Sequence, residues 1–278
     1  MRLLFAASFS VSLLILVAIH GAESGTCDKK NVCSAIEALE TKLEKLIALV
    51  TPPDVPASSC KELYDKHNLR VNKAYELQNN SGKVPVYCHM TSYGIGACGG
   101  GGWTLVMKID GHKSSFLYHS TLWTNKNEFN LPGGKTGFDL QETKLPTYWN
   151  TPFSKICLGM KIGHQIKFIA INRHANSLHS LIADGRYRAT SLGRNTWKTL
   201  TGSLASLQLN CNKEGFNAAC TYRTVRIGIL GNNENDCISC DSIIGFGGNW
   251  DFTLGNMAMH GGDNGDKHIK AMGYILVQ

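Results

Sequence analysis

The sequences PVYCHM at residues 85–90 and GGGGWTLVM at residues 99–107 are the most informative part of this chain. A strand that carries a cysteine leads into four consecutive glycines, which are followed by a tryptophan and an apolar strand. Regular structure disfavours such a run, because glycine loses more conformational entropy on folding than any other residue. The run therefore predicts a backbone crossing, with positive φ angles or a close approach to other backbone, that seats the first strand of the main sheet.

Residues 1–22 have the pattern of a secretory signal peptide. Arg2 supplies a basic n-region, residues 3–19 are apolar, and small residues follow as a cleavage region. A signal anchor is the alternative, but an apolar run of about 17 residues is marginal for a bilayer span and no basic flank follows it. We therefore expect a secreted, extracellular protein without a membrane span.

Composition narrows the range of partners. The net charge is +7, with 43% apolar and 18% charged residues, which is ordinary for a globular protein. Because no run of Lys and Arg exceeds two residues, we do not expect nucleic acid as a partner. A mildly basic surface favours acidic glycans or anionic membranes, although most such surfaces are only solvated.

Residues 27–50 have the spacing of a short coiled-coil helix. Apolar side chains alternate at intervals of four and three residues: Val32, Ile36, Leu39, Leu43, Leu46 and Val50. Residues 51–59, with three prolines, form a linker that isolates this segment, which favours a homo-oligomer over an amphipathic helix packed on its own domain. Cys27 and Cys33 could form interchain disulfides, and an intrachain bridge between them is equally open.

Residues 60–278 indicate one α+β domain dominated by an antiparallel sheet. Apolar or alternating stretches predict strands at residues 84–90, 103–109, 166–171, 225–230 and 272–277. Two short helices are predicted, at residues 121–127 and 203–208. Glycine and asparagine crowd residues 231–266, which we predict to be long loops, either functional or pinned by disulfides.

Cysteines in an oxidising compartment favour disulfides. Cys211 and Cys220 are predicted to close a hairpin-like loop. Cys237 and Cys240 have the CxxC spacing of a redox site, but their Asn/Asp/Gly-rich flanks do not supply the strand and helix that such a site needs. We expect this pair to be structural, joined to each other or to one of two cysteines whose partners stay open, Cys98 and Cys157.

Two acidic loops contain ligands suited to Ca²⁺, which binds six to eight oxygens. Glu234, Asp236 and Asp241 lie in the first loop, and Asp263 and Asp266 lie in the second. If the loops converge in the fold, they form a calcium site. The alternative is a set of ordinary polar turns that use these side chains for their own backbone hydrogen bonds.

Two further residues are candidates for glycan chemistry. Trp250 lies in the loop-like sequence GGNWD next to the possible calcium ligands, so we predict that it stacks on a ligand. We expect the other tryptophans of the domain in the core. Residues 79–81 read NNS, an acceptor sequon, and we predict Asn79 as an N-glycosylation site in a polar turn.

Residues 60–278 resemble a fibrinogen C-terminal-like domain. The resemblance lies in the spacing of Cys60 and Cys88, the PVYCHM strand, and the glycine run before Trp103. In that family a disulfide closes the N-terminal subdomain, which together with the spacing implies a Cys60–Cys88 bridge. The sequences RIGILGN at 226–232 and DSIIGFG at 241–247 are similar to a subgroup of secreted fibrinogen-like proteins of the coral skeletal organic matrix.

The resemblance implies a non-enzymatic recognition or adhesion protein that binds a glycan or an extracellular matrix component, with Ca²⁺ organising the site. Family members oligomerise through N-terminal coiled coils. This chain departs from the family at His89, where Asp is common, and lacks the usual late cysteine beside the acetyl-group pocket, so that pocket is not carried over. The alternative is a structural component of a biomineralising organic matrix that acts by oligomerisation and cross-linking.

Overall fold

The structure, a computed structural model, describes residues 36, 38–42, 56–79 and 82–278. The chain divides into two compact units, residues 1–54 and 55–278. In the first unit, residues 36 and 38–42 are helical, and Ile36 and Leu39 are exposed. The predicted signal peptide, Cys27, Cys33 and the rest of the predicted coiled coil lie outside the described residues. Within the described part of the chain, no helix combines the length and apolar character that a membrane span requires.

The described residues of the second unit, 56–79 and 82–278, form thirteen strands and four short α-helices. The strands are β1 (Lys73–Asn79), β2 (Gly82–His89), β3 (Trp103–Asp110), β4 (Thr143–Lys144), β5 (Phe153–Ile162), β6 (Gln165–Ala175), β7 (Arg188–Ala189), β8 (Asn210–Ala219), β9 (Thr224–Asn232), β10 (Ser242–Gly248), β11 (Leu254–Ala258), β12 (Lys267–Lys270) and β13 (Met272–Val277). The helices are Cys60–Lys66, Thr147–Asn150, Leu178–Ile182 and Arg194–Thr199.

The strands form two antiparallel sheets. The first has the order β1-β2-β3-β13-β5-β6, with β4 paired to β3, and the second has the order β12-β11-β10-β9-β8-β7. The largest core draws side chains from both sheets and contains six fully buried rings: Phe116, Trp123, Tyr148, Trp197, Phe216 and Phe246. The prediction of a domain dominated by antiparallel sheet is confirmed. The predicted helices at 121–127 and 203–208 shrink to 3₁₀ turns, Thr121–Trp123 and Gly202–Leu204.

The glycine run is the predicted backbone crossing. Gly99, Gly100 and Gly102 have positive φ angles of 56°, 62° and 85°. A Cβ atom on Gly101 would lie 2.2 Å from the carbonyl oxygen of Met90, so only glycine fits there. The crossing leads to Trp103, which is fully buried. The run is therefore scaffold at the start of β3, as its sequence predicts.

The prediction that residues 231–266 are long loops is wrong for much of that stretch, which contains β10 and β11. Gly245 pairs with Gly228 on one side and Gly255 on the other. A Cβ atom on Gly228 would lie 2.4 Å from the Ile244 carbonyl oxygen, and one on Gly245 would lie 2.5 Å from the Ile227 carbonyl oxygen. The glycines therefore permit a close approach of adjacent strands rather than marking loops.

A buried carboxylate fixes the edge of the second sheet. Glu214 on β8 is 9% exposed and accepts hydrogen bonds from the Thr190 hydroxyl (2.6 Å) and the Trp197 indole (2.8 Å). It also accepts from the backbone amides of Leu192 (3.0 Å) and Gly193 (2.8 Å). Burial alone raises the pKa of Glu214, but these four donors outweigh burial and hold the pKa below its usual value.

Four disulfides staple the domain. Cys60–Cys88 is present, as the resemblance implies, and Cys98 pairs with Cys157. The prediction that Cys211 and Cys220 close a loop is wrong, and so are the partners proposed for the CxxC pair. The structure instead joins two pairs: Cys211–Cys237 and Cys220–Cys240.

The loop after β9 explains this pairing. The Asn210 side chain donates to the Asn233 carbonyl at 2.7 Å, and the Thr221 amide donates to the Ile238 carbonyl at 2.7 Å. The loop is therefore attached to both ends of β8, which brings each of its cysteines to a strand cysteine. The two bridges also touch, since the sulfurs of Cys211 and Cys240 lie 3.7 Å apart.

Candidate ligand-binding site around Trp250

Trp250 lies at the tip of the turn between β10 and β11. The Phe252 amide donates to the Asn249 carbonyl at 3.2 Å, which closes a tight turn with Trp250 in its second position. The backbone there has a φ of 61°, a conformation that favours glycine, asparagine or aspartate over a bulky aromatic residue. The side chain is nevertheless 63% exposed. Strained residues with exposed side chains are concentrated at ligand sites, so this position is a functional candidate.

The turn is anchored to the loop before β9. The Asn249 side chain is 8% exposed. Its Nδ2 donates to the Tyr222 carbonyl at 2.9 Å, and its Oδ1 accepts from the Thr224 amide at 3.3 Å. Neighbouring backbone bonds from Gly247 and Gly248 to the Thr253 carbonyl complete the hairpin. The indole is thus presented by a fixed backbone.

The Arg223 guanidinium backs the indole, with its carbon 5.0 Å from the ring centroid. Arg223 is 5% exposed; its Nη2 meets the Met259 sulfur at 3.2 Å, while Nε and Nη1 have no hydrogen-bond partner. Burial lowers the pKa of Arg223, and the carboxylates of Asp251 and Asp241 oppose this shift from a distance. Three of the four unpartnered buried polar atoms among the described residues belong to Arg223 and Thr224. Such atoms are rare in folded proteins and call for a specific cause.

A cavity of about 380 Å³ adjoins Trp250, within the size range of small-ligand sites. It is lined by the loop after β3, by the turn itself and by the end of β12: Gly111, His112, Lys113, Ser114, Ser115, Trp250, Asp251, Thr253 and Lys270. The lining therefore combines one aromatic face with hydroxyl, imidazole, ammonium and carboxylate groups. A ring with an apolar face and hydroxyl groups around it, as in a sugar, matches this combination.

Hydrogen bonds hold the three walls of the cavity together. The Thr253 hydroxyl donates to the Lys113 carbonyl at 2.6 Å, which ties the turn to the loop after β3. The Gly111 amide donates to the Ala271 carbonyl at 2.8 Å, and the Ala271 amide donates to the Leu254 carbonyl at 3.1 Å. The site is therefore preorganised on the ends of strands.

The five residues predicted as calcium ligands take part in several different contacts. Asp236 accepts from its own loop, at 2.9 Å from the Asn232 side chain and 2.8 Å from the Ile238 amide. Asp263 forms salt bridges with Arg194 and Lys198 at 2.7 and 2.5 Å.

Asp266 accepts from the Gly261 amide at 3.3 Å, and the Asp241 amide donates to the Gly231 carbonyl at 3.2 Å. Glu234 is exposed. Among the described residues, the one group of three His, Cys, Asp or Glu ligand atoms close enough to share a metal consists of disulfide sulfurs, those of Cys211, Cys220 and Cys240. Calcium binding stays a prediction.

Asn79 is the last residue of β1 and pairs in register with Gly82, the first residue of β2. Residues 80 and 81 of its sequon lie outside the described residues, so glycosylation also stays a prediction.

The sequence singled out Trp250 for its loop setting, and it lies at an exposed turn. Arg223 and the loop after β3 were missed, because no local pattern shows that residues 111–115 meet residue 250.

No family model matches this chain, and no curated protein matches it.

Proposed function

We propose that this protein is a secreted recognition or adhesion protein that binds a glycan of the extracellular matrix at the Trp250 cavity. The observation that carries the proposal is the exposed indole, held at a positive φ angle beside a cavity lined by polar groups. A sugar ring would stack on the indole while its hydroxyl groups bind the polar lining. The four disulfides suit an oxidising extracellular compartment.

The resemblance to fibrinogen C-terminal-like domains supports the same function. It adds an expectation of oligomers, in which several weak sites act together and raise the overall affinity. Two apolar positions of the heptad segment, Ile36 and Leu39, are helical and exposed, which suits a coiled-coil seam. If the protein serves instead as a cross-linked matrix component, the oligomer would persist without any glycan bound.

A glycan array on the full-length oxidised protein tests the proposal. We expect binding to at least one glycan class and a loss of about tenfold or more in Trp250→Ala, which equals about 1.4 kcal/mol. Trp250→Tyr should retain part of the affinity because it keeps an aromatic face. Tyr93→Ala is the matched control, since Tyr93 is an exposed aromatic residue, at 83%, outside the cavity lining. Equal binding by the wild type and Trp250→Ala would contradict the proposal.

Calcium can be tested on the same protein. If the acidic loops bind Ca²⁺ in the native state only, millimolar Ca²⁺ should raise the melting temperature, and the combined substitution of Asp236 and Asp266 by Ala should remove the rise. An unchanged melting temperature would exclude calcium while leaving glycan binding at Trp250 in place.

A further inference from the structure

Charge is unevenly balanced around the Trp250 cavity. Lys270, the last residue of β12, lines the cavity, and its ammonium group forms no hydrogen bond or salt bridge with the described residues. Lys113 also lines it but lies 4.0 Å from the Asp110 carboxylate. The ammonium of Lys270 is therefore the lysine group left available to a ligand.

A second cation lies behind the indole. The Arg223 guanidinium is buried, and no carboxylate is hydrogen-bonded to it. A charge that is taken out of water without a paired anion acts over a longer distance than an exposed charge, because less solvent screens it. Its field therefore adds to that of Lys270 at the indole.

Most carboxylates near the cavity are already engaged. Asp110 accepts from the backbone amide and the ring of His112, both at 3.0 Å. Glu142 accepts from the Asp110 amide at 3.1 Å and the Ser115 hydroxyl at 2.8 Å. Asp251 remains, 3.6 Å from His268. Asp251 is thus the one carboxylate in the cavity lining, beside Lys113 and Lys270, while Asp241, outside the lining, acts with Asp251 on Arg223 from a distance.

We propose that the glycan bound at the Trp250 cavity is anionic, with a sulfate or carboxylate group on the Lys270 ammonium and a sugar ring on the indole. This inference rests on the proposed function. It selects a ligand class: acidic polysaccharides carry such groups at regular intervals, so an oligomer of this protein would bind one chain at several points. Asp251 is placed to accept hydrogen bonds from sugar hydroxyls.

The test compares immobilised chondroitin sulfate, chemically desulfated chondroitin, which retains its uronate carboxylates, and neutral dextran, all at about 0.15 M ionic strength. We expect the wild type to bind an anionic chain at least about tenfold more tightly than dextran, a difference of about 1.4 kcal/mol. Preference for the sulfated chain would assign the anion as sulfate, and equal binding of both acidic chains would assign it as carboxylate.

Lys270→Gln should reduce anionic binding about three- to tenfold and leave any dextran binding unchanged. Lys155→Gln is the matched control, an exposed lysine on β5 of the other sheet. If acidic and neutral chains bind equally and Lys270→Gln changes nothing, the anionic inference is overturned while glycan binding stands. If no chain binds and the array is also blank, the proposed function itself fails.

Discussion

Replacing Arg223 by methionine should stabilise the protein and weaken its ligand binding. The guanidinium is 5% exposed and leaves two N–H groups, at Nε and Nη1, without a partner. Methionine has a similar length, is apolar, and can keep the contacts with Trp250 and Met259. The substitution therefore removes an uncompensated polar group and adds none.

The magnitude follows from these contacts. Each unsatisfied buried donor costs about 1–3 kcal/mol, whereas the lost stacking of the cation on Trp250 is worth about 0.5–2 kcal/mol. Arg223→Met should therefore raise the free energy of unfolding by about 1–3 kcal/mol. For a domain of this size each kcal/mol corresponds to about 2–4 °C in melting temperature.

Arg226→Met is a matched control with the opposite expected sign. Arg226 is similarly buried, but its Nε donates to the Tyr118 carbonyl at 2.8 Å and its Nη1 to the Asn217 side chain at 2.9 Å. Losing these charge-assisted bonds should lower the free energy of unfolding by about 2–4 kcal/mol. Urea unfolding of the oxidised proteins, followed by tryptophan fluorescence, measures both.

If Arg223→Met is as destabilising as Arg226→Met, the Arg223 guanidinium is satisfied in solution, and our reasoning about its cost is refuted. If Arg223→Met is stabilising, its affinity for chondroitin sulfate should fall about two- to fivefold because the field at the indole weakens. A gain in stability without any loss of binding would show that Arg223 does not contribute to the ligand site.

Three further outcomes are expected. Glu214→Ala should lower the free energy of unfolding by about 3–5 kcal/mol, because four donors lose their acceptor. The folded pKa of Glu214 lies below its usual value of 4.5, so urea unfolding at decreasing pH should show its stabilising effect above that value and a loss as pH falls through the folded pKa. Burial lowers the pKa of Lys144 to about 8, so the native state releases this proton at a lower pH than the unfolded state does. The free energy of unfolding should therefore rise between about pH 8 and pH 10.5. A profile of melting temperature against pH should show this rise, and Lys144→Met should flatten it. Limited reduction by a dithiol should first open the bridge of the exposed Cys237. The freed Cys211 thiolate, 3.7 Å from the Cys240 sulfur, should then attack that sulfur, which breaks the Cys220–Cys240 bond, forms a Cys211–Cys240 bond and releases Cys220 as a thiolate. Peptide mapping after alkylation should therefore detect a Cys211–Cys240 bridge, and mapping that shows only native bridges and free thiols would contradict this order.

Local sequence predicted the fold where one strand buries a continuous apolar surface. β3 and β13 have such sequences, and each lies in the interior of the first sheet. It failed at β10 and β11, whose glycines suit loops equally well when no partner strand is known. The value of Gly245 as a strand residue depends on Gly228 and Gly255, which are neighbours only after folding.

The candidate site shows the same division. Trp250 was selected from the residues beside it, and the structure places it at an exposed turn. Asp263 was selected in the same way as a metal ligand, but Arg194 and Lys198, which are distant in sequence, bind its carboxylate. Two cations therefore pair with the Asp263 carboxylate, and no local pattern in the sequence indicates that pairing.

The proposed ligand site depends on a disulfide. A strained turn and a buried unpaired cation persist only where the surrounding structure holds them firmly. Cys220 lies three residues before Arg223, and its amide donates to the Arg223 carbonyl at 2.8 Å, so the Cys220–Cys240 bridge holds the backbone that places the guanidinium under Trp250. Once that bridge is reduced, the loop can move and water can reach the guanidinium. This removes the free-energy cost of burying Arg223, and it also removes the support of the Trp250 indole. The proposed glycan binding should therefore require an oxidising environment even though none of the residues that line the cavity is a cysteine.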